Sequence, residues 1–232
     1  MNKFSVTGKT WVSKNYSSAK VNFLKDNFNL SEIISKLIAI RDIKIEDVNL
    51  FLKPKIKNIL PNPFILKDME KTVNRTVHAI NKNEKIGIFG DYDVDGATST
   101  ALLGNYFSQF NQNIEIYIPD RKFEGYGPSK KAFEKMIKNE SKLIFTVDCG
   151  TLSYEAIEYA QKNSIDVIVL DHHQSELKLP NAFSVVNPNR FDDESRLNYL
   201  CAAGVCFMFL IALNNKLRNL NWFNQNKINE PN

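Results

Sequence analysis

The chain has 232 residues, 43% of them hydrophobic and 24% charged, which is ordinary for a soluble globular protein and long enough to bury a sizeable core. Its formal net charge of +4 is compatible with a polyanionic partner but too small to diagnose one. Three cysteines (Cys149, Cys201, Cys206) without a CxxC pair indicate neither a disulfide framework nor a structural zinc site, and fit a reducing cytoplasm. The opening MNKFSVTGKTWVSK has no signal-peptide apolar core, and the longest apolar window, Leu200–Leu213, falls short of the ~20 residues of a spanning helix. A cytoplasmic protein with no membrane partner is expected.

Residues 1–30, polar with scattered aromatics, read as an extended arm. Ser31 is a plausible N-cap for a helix that places Ile33, Ile34, Leu37, Ile38 and Ile40 at helical spacing. A second short helix is expected near Ile45–Leu52, and the proline-bearing segment Lys53–Pro63 reads as a linker crossing a surface. Asp68–Asn81 reads as a helix, with His78 a solvated or locally bonded residue.

From Lys85 the pattern alternates between strand and helix. Strands are expected at Ile86–Phe89, Ile114–Ile118, Leu143–Val147, Val167–Leu170 and Ser184–Val186. Helices are expected near Thr98–Phe110, Ser129–Lys138, Ser153–Lys162 and, last, Cys201–Leu217, followed by a polar tail. The alternation predicts an α/β fold: a parallel sheet of about five strands with helices on both faces, preceded by a small helical N-terminal cap. The domain plan is an arm and helical cap over 1–82, an α/β domain over 83–217, and a tail over 218–232.

The strand ends carry the chemistry. In KIGIFGDYDVDGATS an apolar run is followed by Asp91, Asp93 and Asp95 at spacing two, then by Gly96 and small residues that open a helix. Taken alone this is equally an acidic turn or a site for a hard cation, since clustered carboxylates repel unless something positive lies between them. The second strand leads to Asp120-Arg121 and a Gly125-Tyr126-Gly127 turn, the third to Asp148-Cys149-Gly150, and the fourth to Asp171-His172-His173. Parallel strands present their carboxyl ends on one edge, so these groups converge on one crevice. Two divalent cations held ~3.5–4 Å apart can clamp the attacking and leaving oxygens of a phosphate ester, and Asp oxygens with imidazole suit Mn²⁺ or Mg²⁺. Cys149, adjacent to Asp148, points to the opposite face and reads as a packed small residue. Asp171 read singly is a helix cap, a reading weakened by the acidic motifs at two other strand ends.

The segments GDYDVDGATST, IPDRKFEGYG, TVDCG, VLDHHQ, VVNPNR and LCAAGVCF closely resemble the DHH phosphoesterase superfamily and, within it, the RecJ-type single-strand-specific exonucleases. The resemblance runs from about residue 30 to 215. It implies metal-dependent hydrolysis of single-stranded DNA from the 5′ end, in DNA repair and recombination, with Mn²⁺ or Mg²⁺ in a two-metal site. Asp93, Asp95, Asp148 and His172 would be metal ligands, with Asp91 a ligand or an acceptor behind them. Asp171 would orient a histidine, His173 would face the scissile phosphate, and all seven would belong to the catalytic group. Arg121 would bind a substrate phosphate and Tyr126 would stack on a base; a surface salt bridge and a packed turn tyrosine are their plain alternatives. Asn187 and Arg190, at the fifth strand end, would line the same crevice. Single-stranded DNA would be the partner, with replication or repair proteins beside it. RecJ-type chains continue into a further strand whose acidic residue completes the metal site, then into clamp domains; nothing after Leu217 supplies these, so a fragment or a short form is expected. Two rival readings remain: a DHH hydrolase of small substrates (oligoribonucleotide, nucleotide phosphate or pyrophosphate), and a catalytically incomplete binding module.

Overall fold

The computed structural model describes residues 5–231. The expectations for the first four residues of the arm and for Asn232 of the tail lie outside the described residues. By contact the chain separates into two compact units, Met1–Pro61 and Asn62–Asn232.

The first unit contains α1 (Ser18–Phe28), α2 (Glu32–Ile40), a 3₁₀ turn (Ile45–Asp47) continuing into α3 (Val48–Leu52), and the single turn α4 (Ile56–Ile59). Helix α1 replaces the second part of the expected extended arm. The Ser17 hydroxyl accepts the Lys20 N–H at 3.2 Å and starts the helix. Val21, Leu24 and Phe28 then recur along one face, and Leu24 packs with Ile38 and Val48 in a small core. Lysine, asparagine and aspartate between them dilute this three-residue stripe in the sequence. The linker segment contains the single helical turn α4.

The second unit contains α5 (Met69–Asn81), β1 (Ile86–Gly90), α6 (Val94–Ser108), β2 (Ile114–Tyr117), α7 (Lys130–Lys138), β3 (Leu143–Val147), α8 (Tyr154–Lys162), β4 (Asp166–Leu170), β5 (Ser184–Val186), α9 (Ala202–Asn219) and α10 (Trp222–Asn226). All pairings are parallel and the strand order is β2-β1-β3-β4-β5. The chain steps outward from β1 to β2, then crosses back to β3 on the other flank of β1. That reversal opens a crevice beyond the carboxyl ends of β1 and β3, where ligands bind in sheets of this kind.

Burial on both faces explains why β1, β3 and most of β4 are near-continuous apolar runs rather than alternating ones. On one face, Ile144, Val167 and Val169 pack with Phe133 and Met136 of α7 and Ile157 and Ala160 of α8. On the other, the Phe145 ring lies 5.8 Å from Phe107 of α6 and 5.4 Å from Phe209 of α9, centroid to centroid. Helix α5 packs on β5 and α9, within the same unit as the sheet. The tail is less polar than its composition suggests: Trp222 and Phe223 of α10 are buried, with rings 5.3 and 6.0 Å from Phe110. The Trp222 indole N–H also donates to Asn81 Oδ1 at 2.9 Å. Among the described residues no helix is long and apolar enough to cross a membrane.

Phe145 is fully buried between two helices and the sheet. Phe145→Ala is therefore expected to lower the unfolding free energy by about 3–5 kcal/mol. Urea unfolding followed by circular dichroism checks this, and a loss below about 1 kcal/mol would contradict the packing.

Candidate metal centre

β1 ends at Gly90, and Asp91 begins the turn that leads into α6. The Asp93 side chain accepts the Gly96 N–H at 2.9 Å and is the N-cap of that helix, so α6 starts at Val94 rather than near Thr98. The acidic turn and the helix start are one structure. Gly96 is required by close approach: a Cβ there would stand 2.5 Å from Asp91 Cβ and 2.7 Å from the Asp91 carbonyl oxygen. Asp91 is buried, and burial pushes its pKa up, with the Asp93 charge adding to the effect. Asp93 is exposed and shifts the other way, lowered chiefly by the Gly96 N–H.

β3 delivers Asp148. Its backbone is left-handed (φ 60°), a conformation that aspartate tolerates better than most residues, and Gly150 two residues on has φ 110°. This sharp turn buries the Asp148 carboxyl group, and Oδ1 has no hydrogen-bond partner. Burial, with the charges of Asp95 and Asp93, raises its pKa to about 8. Cys149 turns into the α7–α8 core, its thiol donating to the Val147 carbonyl at 3.4 Å.

β4 delivers Asp171, His172 and His173. Asp171 is almost wholly buried and braces the segment. Its Oδ1 accepts the N–H groups of His172 (2.7 Å) and His173 (3.2 Å) and meets His173 Nδ1 at 2.7 Å. Its Oδ2 accepts the Thr151 N–H at 3.1 Å. Burial alone would raise the Asp171 pKa, but the bonds from His173 and Thr151 outweigh it and the pKa falls below the ordinary carboxylate value. The bond to Asp171 raises His173 to about 9. His172 Nε2 points the other way, 3.3 Å from Asp148 Oδ1 and 3.6 Å from Asp95 Oδ2.

Two sets of ligand atoms result, each with all its atoms within 4.8 Å of one another: Asp148, His172 and His173, and Asp91, Asp93 and Asp148. Asp148 belongs to both. The residues suit a cation on an observation independent of their identity, because Asp148 Oδ1 is buried beside other carboxylates without a hydrogen-bond partner. Asp95 lies at the edge of this group and has further contacts: Oδ2 accepts the Ala202 N–H at 2.7 Å and Oδ1 the Ala203 N–H at 2.8 Å. It thereby caps the first turn of α9, and the LCAAGV segment reaches the site through backbone donors.

Four more expected residues are placed as follows. The Arg121 guanidinium is exposed and lies 5.2 Å from the centre of the Tyr92 ring, beside the acidic turn. Tyr126 is half-exposed; its hydroxyl donates to the Asp148 carbonyl at 3.1 Å and lies 3.4 Å from His173 Nε2. A cleft of about 600 Å³ opens beside it, lined by Gly150, Thr151, Leu152 and His173. Asn187 and Arg190 are not presented to the crevice. Asn187 is fully buried, donating to Thr151 Oγ1 and the His173 carbonyl, both at 2.9 Å. The Arg190 guanidinium is consumed by Asp192, by Asp68 (2.8 Å) and by the Val185 carbonyl, so its donors hold the loop after β5 against the start of α5. Sequence reasoning passed over Thr151 and Asn189. The signal for Asn189 was present: an Asn-Pro-Asn turn directly after a strand offers two side chains suited to bonding nearby backbone.

Residues 85–229 match the family model described as the DHH family, N-terminal domain. The chain belongs to the DHH family. Among curated DHH relatives it is 36% identical over 182 residues to the single-stranded-DNA-specific exonuclease RecJ of Escherichia coli, covering 78% of this chain and 31% of that protein. It is 32% identical over 204 residues to the enzyme of the same name from Bacillus subtilis, covering 88% of this chain and 26% of the relative. Among solved structures it is similar to an exonuclease RecJ bound to manganese, at 32% identity and a TM-score of 0.60, over 66% of this chain and 38% of that one. The DHH chain thus spans about a quarter to a third of the length of these curated relatives.

The protonation pattern gives a test in the absence of metal. Asp148 (about 8) and His173 (about 9) both hold protons more tightly folded than unfolded. For groups with raised folded pKa values, stability is lost as pH rises: from the ordinary carboxylate range to about 8 for Asp148, and from about 6.5 to about 9 for His173. With a chelator present, the melting temperature is expected to fall between about pH 5 and pH 9; with Mn²⁺ added, which competes for the same atoms, the fall is expected to shrink. Differential scanning calorimetry across that range checks both, and a flat profile in chelator would contradict the assignment.

Proposed function

We propose that this chain carries the phosphodiester-hydrolysing site of a single-stranded-DNA exonuclease that works from the 5′ end, a cytoplasmic enzyme of DNA repair and recombination. The observation that carries this reading is the shared Asp148: two ligand sets at a sheet switch point meet at one buried carboxylate with an unsatisfied oxygen. Asp93, Asp95, Asp148 and His172 would hold Mn²⁺ or Mg²⁺, with Asp91 alongside. The relatives' names supply the substrate, single-stranded DNA.

Bound divalent cations would supply charge neutralisation at the phosphate and a lowered pKa for the attacking water. The chain's own groups do the rest. Asp171 fixes the His173 ring through Nδ1, so that Nε2, near the Tyr126 hydroxyl, is the atom that faces substrate and exchanges a proton with it. Arg121, exposed beside the acidic turn, would meet a substrate phosphate with its planar fork. Tyr126 presents a half-exposed ring beside the open cleft, a sequence-tolerant surface for a base.

The test uses the 232-residue chain, Mn²⁺ and a single-stranded DNA oligonucleotide labelled at either end. Early release of labelled mononucleotide from the 5′ label is expected, and Asp93→Ala or His172→Ala is expected to reduce the rate by at least about 10²-fold. Unchanged rates in both variants would remove the proposal. Faster turnover of a short oligoribonucleotide or a nucleotide would favour a small-substrate hydrolase. DNA binding with bound Mn²⁺ and no product would favour a binding module.

A further inference from the structure

We infer that the Asn187-Pro188-Asn189 turn is the positioning device for the histidine pair, and that Asn189 is the positioning residue for His172. The inference rests on the metal-dependent reading above and assigns to this turn a role in metal affinity.

His172 and His173 follow β4 in a segment without regular structure, so no ladder of strand or helix bonds holds their peptide groups. Every backbone polar group in such a segment still needs a partner. The two N–H groups are taken by Asp171 Oδ1. The two carbonyls are taken from the opposite side by the turn: Asn189 Nδ2 donates to the His172 carbonyl and Asn187 Nδ2 to the His173 carbonyl. All four peptide groups of the pair are therefore held by three side chains. The turn is itself tightly specified. Asn187 Oδ1 accepts the Asn189 backbone N–H at 2.8 Å, which orients the Asn187 side chain, and Pro188 fixes a backbone angle between the two residues. Asn187 also reaches Thr151 Oγ1, and Thr151 N–H bonds Asp171, so β3, β4 and β5 are tied at the point where His172 leaves the sheet. Ser175 closes the loop from the far side, donating to the Asn189 carbonyl at 3.3 Å.

The amide is chemically necessary at Asn189. Its NH₂ is the donor that the His172 carbonyl requires, and a carboxylate of the same shape would set a second acceptor against that carbonyl. With the carbonyl released, the His172 backbone is fixed only through Asp171, and its Nε2 loses its set distance to Asp148. Partners that orient a metal-ligating histidine typically account for 10–100-fold in metal affinity. Asn189 is partly exposed, unlike Asn187, so a change there can leave the core intact.

The experiment titrates MnCl₂ into the metal-free 232-residue chain by calorimetry, for the parent, Asn189→Ala, Asn189→Asp, Asn189→Gln and His172→Ala, with the melting temperature in chelator as the folding control. Asn189→Ala and Asn189→Asp are expected to weaken Mn²⁺ binding by about 10-fold or more while melting within a few degrees of the parent. Asn189→Gln, which keeps the donor, is expected to recover part of the affinity. The isosteric Asn189→Asp keeps the test available if Asn189→Ala fails to fold. Mn²⁺ affinity within about two-fold of the parent in Asn189→Asp, with His172→Ala losing affinity, would overturn this inference alone. Unchanged affinity in His172→Ala would overturn the metal-dependent reading and this inference with it.

Discussion

The interaction on which the rest of the site depends is a repulsion. Asp148 is buried at the end of the central strand, within reach of Asp91, Asp93 and Asp95, and one of its oxygens has no hydrogen-bond partner. An isolated carboxylate in such a place either takes up a proton or meets a cation. The backbone forces it there. A left-handed turn at Asp148 and a second positive φ at Gly150 direct the carboxyl group over the sheet edge while Cys149 turns into the core. Strained backbone of this kind persists where surrounding structure over-determines it, and here Thr151 is bonded to β4 and to the turn after β5.

The topology explains why these particular strand ends meet. With the order β2-β1-β3-β4-β5, the acidic turn after β1 is next to the turn after β3, and β3 is next to the strand that carries both histidines. The parallel arrangement puts all the carboxyl ends on one side. Helix α9 closes the group by a different route: its first two N–H groups settle on Asp95, 107 residues earlier in the chain. A helix that is otherwise part of the core thereby becomes a wall of the site.

Much of this was readable from residues alone. The strands β3 and β5 lie where the apolar runs place them, because a strand buried on both faces is a short continuous run bounded by turn residues. The helix α6 began earlier than its composition suggested, since Asp93 and Asp95 are at once charged residues of a turn and the cap and first turn of the helix. Helix α1 was missed because three apolar positions among lysine and asparagine leave little periodicity. Arg190 shows the limit of local reading. Beside Asn187 at a strand end it resembles a crevice residue, yet its partner Asp68 is 122 positions away and nothing in the local sequence announces the pair. The buried half of the α10 turn is hidden in the same way, since its partner Phe110 lies just past the end of α6, more than a hundred positions earlier.

Four carboxylates of the site fall into two electrostatic groups, and the division follows from where hydrogen-bond donors point. Asp93, through the Gly96 N–H, and Asp171, through His173 and Thr151, are held below the ordinary carboxylate pKa, even though Asp171 is deeply buried. Asp148, whose side chain gains no such donor, and Asp91, whose one neighbouring N–H does not offset burial, are raised above it. The first pair also holds structure: Asp93 caps a helix and Asp171 grips the histidine loop. The second pair holds protons more tightly than ordinary carboxylates do, and a divalent cation competes with those protons for the same oxygens. A site arranged in this way couples cation binding to proton release, while backbone N–H groups on Asp93 and Asp171 hold the helix cap and the histidine loop in place.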